Sequence, residues 1–326
     1  AIVRLCVSAR GLAGRPGGTP MAIQRRTFLR LGTAALATPA LPNLSLAQSQ
    51  WPTRIVRLVV GFPPGGAADI LARIAAQQMS LALKEQVVVD NRGGAGGLVA
   101  TEITARAVPD GYTILLSGSA VLAIVPLMYK APLYDPNADF EHAALFSDSA
   151  RVLVVRKDLP ANRLNELVAW MKANPGAAKF VDQNAAARIS GLLLQQLTGT
   201  QVTFIPYRGA GPAMTDLISQ QVDLLVVQGA VALPQVRAGT VKAIANLSPQ
   251  RSASMPDIPT SDETGVPGLY MSGWFGFFAP KGTPKDVIAK LNDAMSQVLA
   301  DPTTKAKFSE LGLDVASPQQ QTPEGL

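Results

Sequence analysis

The 326-residue chain has a single cysteine, Cys6, and a single histidine, His142. That scarcity removes disulfide frameworks, thiol nucleophiles, zinc clusters and most histidine-based general-base schemes before any motif is sought. Charge is sparse too. Only 16% of residues are charged against 48% hydrophobic, which excludes a disordered or charge-solvated chain. The net charge of +6 would suggest nucleic acid or an anionic membrane as partner if it were spread along the sequence. It is not spread. Residues 1–47 hold six arginines (Arg4, Arg10, Arg15, Arg25, Arg26, Arg30) and no acid, leaving 23 of the 29 basic residues against all 23 acidic ones. From Gln48 onward the net charge is zero, so no nucleic-acid partner is expected. Long apolar runs are missing as well. The stretch Leu31–Leu46 is broken by Pro39 and Pro42 and falls short of the roughly 20 residues that cross a bilayer.

What stands in the first 47 residues is the layout of a bacterial export signal. Met21 is the expected start, with residues 1–20 upstream of it. Arg25 and Arg26 form a basic region, Leu31–Leu46 a short apolar one, and Ser45 and Ala47 the small-residue cleavage signature, placing the cut after Ala47. The run QRRTFLR resembles a twin-arginine signal. The expected destination is the periplasm, an oxidising compartment that a cysteine-free mature chain suits.

After Trp51, short β-branched runs alternate with helical patterns, the order of βα units around a mostly parallel sheet. Strands are expected at 55–60, 87–89 and 113–116, and a second series begins at 152–155 and continues at 180–182, 202–205, 222–227 and 241–245. The apolar run Trp274–Ala279 reads as a return strand, followed by two helices that each open with a proline. Two βα sets with a late return predict an α/β protein of two lobes joined by crossings near residues 150 and 276. The expected division is 51–150 with 277–326 as lobe one and 151–276 as lobe two.

The clearest chemistry lies in GFPPGGAAD, Gly61–Asp69. Pro63 and Pro64 lack N–H groups, whereas Gly65, Gly66 and Ala67 can turn sharply and aim successive N–H groups above the sheet, as an anion nest does. An ordinary βα bend fits the same residues. Asp69 is placed to cap the following helix. The loop Asn91–Gly97 lacks the third glycine of a dinucleotide fingerprint, because position 99 is Val, and no P-loop lysine follows. Ser117 and Ser119 fall at the carboxyl end of a parallel strand, the edge where open α/β sheets bind ligands; helix capping fits them equally well. Arg188 and Arg208 can close on an acid or stand in solvent. His142 has no nucleophile beside it in sequence and reads as structural or surface.

The ordered set FPPGGAAD, VDNRGGAGG, PDGYTILLSG, IPYRGAGPAMTDLISQQVDLL and GWFGFFAPKGTP resembles the Bug family of extracytoplasmic solute receptors, over residues 51–323. The resemblance implies a type II periplasmic binding protein, two α/β lobes with a ligand cleft between them, and neither cofactor nor catalysis. It implies that a ligand carboxylate meets the turn Phe62, Pro64, Gly65, Gly66 and Ala67, with Asp69 supporting that turn and Ser117 and Ser119 lining the cleft. The second-lobe turn, VDQNAAARIS at Val181–Ser190, lacks the family's glycines and following histidine. Asn184 and Arg188 stand near their places, which leaves the ligand class open. The implied partners are a small organic acid and the membrane subunits of a tripartite tricarboxylate transporter, with the receptor acting as a monomer. A ligand-sensing co-receptor for a sensor kinase is the alternative.

Overall fold

The computed structural model describes residues 51–128, 134–322 and 325; the export-signal reading lies outside them. The first sheet begins with β1 (Val56–Val60), apolar apart from Arg57, as suits a strand covered on both faces. Val56, Leu58 and Val60 point into one core with Leu71, Ile74, Met79, Leu116 and Met295, while Val59 points the other way, toward Leu98, Leu115, Val121 and Phe278. Helix α1 (Ala67–Leu83) supplies Leu71, Ile74, Ala75 and Met79 at helical spacing and stops at Lys84, which takes a left-handed conformation. Parallel strands β2 (Val87–Asn91) and β3 (Thr113–Gly118) flank β1, and helix α2 (Leu98–Ala105) lies between them in sequence. A π-helical turn, Ala120–Ile124, follows β3 and runs into the short α3 (Val125–Met128).

Strand β4 (Phe140–Arg156) is the longest among the described residues and belongs to both sheets. Residues 140–150 pair antiparallel with β9 (Ser272–Pro280), which itself pairs with β3; from Arg151 onward β4 pairs with β7 (Leu224–Gln228) and β8 (Val241–Asn246). The second sheet is completed by parallel strands β5 (Ala178–Asp182) and β6 (Val202–Pro206). Its helices are α4 (Leu164–Ala173), α5 (Ala185–Thr198), α6 (Ala210–Ile218) and α7 (Gly229–Arg237). Leu153, Val155, Phe180, Leu224 and Val226 form a separate core with Leu164, Leu167, Met171 and Leu194. The chain returns through β9 to α8 (Lys285–Ala300) and α9 (Pro302–Glu310), which cover the first sheet. Among the described residues no helix is long and apolar enough to cross a membrane.

Two local expectations are corrected. Only 152–155 of β4 is expected from the sequence, because FEHAALFSDSA alternates poorly. The register against β9 shifts at His142/Ala144 and again at Leu145/Ser147, and each irregularity resets the two-residue period. The second concerns Asp69. Helix α1 begins one residue after Gly66, so Asp69 sits in its first turn and does not cap it.

Candidate functional site

The carboxyl ends of five strands meet over one open-mouthed cavity. From the first sheet come Phe62, Gly66, Ala67 and Ala68 after β1, and Gly118 and Ser119 at the end of β3. From the second come Asn184 after β5, Ala210 after β6 and Gln228 at the end of β7. Arg151 of β4 and Trp274 and Phe275 of β9 close the remaining wall, at the level where the chain passes between the sheets.

The turn between β1 and α1 is built around Asp69. Its carboxylate, 3% exposed, accepts from the Gly65 N–H at 3.0 Å, from Asn91 Nδ2 at 3.1 Å and from Arg73 Nε at 3.0 Å. Burial alone would push this acid up, but the bonds from Arg73, Gly65 and Asn91 outweigh it and hold it below its ordinary value. Gly65 sits at φ 84°, a conformation that glycine adopts without strain. With Gly65 committed to Asp69, the N–H groups of Gly66, Ala67 and Ala68 remain. None has an acceptor among the described residues, and all three residues line the cavity. The positive end of α1 adds to their pull on an anion. Opposite them, Asn184 caps α5 by accepting from the Ala187 N–H at 3.0 Å. Its amide nitrogen has no acceptor among the described residues. Ser119 presents a buried hydroxyl with no partner there.

Of the residues expected from the sequence, Phe62, Gly66, Ala67, Ser119 and Asn184 line the cavity together. Pro64 and Gly65 line a neighbouring groove with Gly211 and Pro212. Asp69 lies beneath the turn, and Ser117 is buried within β3, in register with Gly276. Arg188 stands in an outer groove with Asp182 and Tyr207, where it pairs with Asp182 at 2.8 Å and its guanidinium lies 4.3 Å from the centre of the Phe204 ring. Sequence reasoning missed Arg151, Gln228, Trp274 and Phe275. Gln228 was within reach of the rule applied to Ser117 and Ser119, since it ends the apolar strand LLVVQ. Arg151 carried a fainter signal, a lone charge at the head of the apolar run VLVV.

Two α/β lobes sharing crossing strands, with a cleft lined by strand ends and helix N-termini, define the class of type II periplasmic binding proteins. Within that class the family is settled by sequence. Residues 71–325 match the sequence profile of the tripartite tricarboxylate transporter family receptor, and the chain belongs to that family. Protein BugT of Bordetella pertussis is 36% identical over 298 residues, covering 90% of this chain and 88% of that protein. The solved structure of periplasmic binding protein BugD superposes with a TM-score of 0.80 at 39% identity, covering 84% of this chain and 92% of that one. That of MatC from Rhodopseudomonas palustris with bound malate gives 0.78 at 33% identity, covering 84% and 94%.

Proposed function

We propose that this protein is a periplasmic receptor that closes two lobes on a small organic acid and presents it to the membrane subunits of a tripartite transporter. The observation that carries the reading is the set of N–H groups of Gly66, Ala67 and Ala68, without acceptors among the described residues, at the positive end of α1, in residues that line a cavity walled by Phe62, Trp274 and Phe275. Such groups are anion donors that need no cofactor, and charge-assisted bonds of this kind contribute roughly 1.5–3 kcal/mol each. MatC, with malate bound, is a relative holding a small carboxylate. The basic leader serves export, by the twin-arginine route on the pattern QRRTFLR. The lobes divide as 51–150 with 277–326 and 151–276. The first crossing of that division is supported by the exchange of β4's partners between Ala150 and Arg151, while at the second β9 already pairs with the first sheet from Ser272. The ligand leaves unchanged, since the site binds and does not catalyse.

The test uses calorimetry against a panel of small organic acids. Wild type should bind at least one of them and return it chemically intact. Ala67→Pro is the informative variant. Position 67 is the first helical residue, where proline is well tolerated, and Gly66 before it already has the extended φ −86°, ψ 167° that a pre-proline residue prefers. The substitution keeps the helix but deletes one donor and projects a ring into the cavity. Affinity should fall by at least about 100-fold, the loss of roughly 2.7 kcal/mol that one or two charge-assisted bonds represent. Unchanged affinity would place the site elsewhere.

A further inference from the structure

Arg151 lies at the point where β4 leaves β9 and joins β7. Its backbone is held on both sides, the N–H donating to the Met271 carbonyl at 3.1 Å and the carbonyl accepting from the Leu247 N–H at 2.8 Å. The side chain is 2% exposed and lines the cavity. Removal from water pushes the guanidinium down to about 10, which still leaves it cationic at neutral pH. Arg156, further along the same strand, is less buried and pairs with both Asp158 and Asp223. Arg151 forms no ion pair among the described residues. With the Gln228 amide oxygen turned toward it, Nη1 and Nη2 donate to a neutral group at 3.3 and 3.2 Å, and Nε has no partner there. Room for the guanidinium is built into the opposing strand, because a Cβ on Gly273 would stand 2.9 Å from Nη2. A fully buried charge without a counter-charge is destabilising, and proteins rarely retain one unless something else supplies the opposite sign.

We propose that Arg151 is a specificity-determining residue of the binding cavity, a second anion anchor that pairs directly with a distal carboxylate of the ligand. The inference rests on the receptor reading above and deepens it. One carboxylate takes the N–H groups of Gly66–Ala68, the second takes Nε and the Nη hydrogen beside it that Gln228 leaves free, and the apolar walls of Phe62, Trp274 and Phe275 accommodate the short linker between them. The planar fork suits a carboxylate held through two parallel bonds, and its charge persists across the physiological pH range. Gln228 holds the fork in place without neutralising it. The receptor therefore selects diacids over acids of the same length with one charge.

The test measures calorimetric affinities for unbranched α,ω-diacids from malonate to adipate, each beside its half-amide. For the best-fitting length, wild type should prefer the diacid by about 100-fold, the ratio that corresponds to a charge-assisted pair. In Arg151→Gln the ratio should fall to within about threefold of one. Gln228→Glu is the second variant and leaves Arg151 in place. Its carboxylate occupies the fork from within, so the ratio should collapse in the same way while the ligand-free protein melts at a higher temperature. A preference unchanged in both variants, or equal wild-type affinity for diacid and half-amide, overturns the role of Arg151 and leaves the receptor reading standing. A wild type that binds no acid at all overturns both.

Discussion

At the scale of single residues, the groups around the cavity divide into those that hold its backbone lining and those that line it themselves. Asp69 is of the first kind. Its folded carboxylate is held below its ordinary value, near 3.8, because the bonds from Arg73, Gly65 and Asn91 exceed the opposing effect of burial. Its stabilising contribution is therefore present above the unfolded value and is lost as pH falls through the lower folded one. In Asp69→Asn the amide oxygen can keep the Gly65 bond only by turning its NH2 toward Arg73 or Asn91, which are themselves donors. The variant should lose about 1–3 kcal/mol at pH 7, the effect of an unsatisfied buried group. The gap in melting temperature from wild type should narrow as pH falls below about 3.8. Equal gaps at pH 7 and pH 3 would contradict this account. The bend itself was legible in the Pro-Pro-Gly-Gly run, although an anion nest and an ordinary βα turn fit those residues equally well. Arg151 was not legible, because a charge at the start of an apolar strand looks the same whether the strand begins in solvent or at a crossing between two sheets.

At the scale of elements, most of the fold could be read from alternation and punctuation. Strands β1, β3, β5, β6, β7 and β8 fall on the expected β-branched runs, and α4 stops at Asn174, before Pro175 and Gly176. The first half of β4 could not be read that way, because its irregular register interrupts the pattern that identifies a strand. Pairing between β3 and β9 shows how closely such elements approach. Gly118 lies in register with Phe275, and a Cβ added to it would stand 2.1 Å from the Trp274 carbonyl oxygen. That oxygen belongs to backbone and cannot swing away. Gly118→Ala should therefore push β9 outward, destabilising the protein by about 1–3 kcal/mol as overpacking does. The same shift moves Trp274 and Phe275, which wall the cavity, so acid affinity should fall with stability. Chemical denaturation and calorimetry on one preparation read both effects. A variant as stable as wild type would show that the strands can separate at that point without strain.

At the scale of the whole molecule, the lobes touch beside the cavity, and the contact is made of glycine against proline. In α6 of the second lobe, a Cβ on Gly211 would stand 2.6 Å from the Pro64 carbonyl oxygen and 3.4 Å from the Gly65 Cα of the first-lobe turn. Within α6 itself, where Gly211 is the second residue, an alanine is tolerated and favoured over glycine by less than the roughly 1 kcal/mol of a helix interior. Gly211→Ala consequently separates two effects that most substitutions confuse. The second lobe gains helical stability while the closed arrangement acquires a steric wedge. If ligand binds only when the lobes meet, apparent affinity falls in proportion to the closed population, and a bias of about 1.4 kcal/mol toward the open form weakens binding about tenfold. The variant should melt at or above the wild-type temperature without ligand, yet bind its acid about tenfold more weakly. Small-angle scattering supplies the independent reading. The radius of gyration of wild type should shrink on adding a saturating acid, and the variant should require a correspondingly higher concentration for the same contraction. A variant that binds as tightly as wild type would mean that the Pro64–Gly211 approach is incidental to capture and that the cavity fills without closure of the lobes.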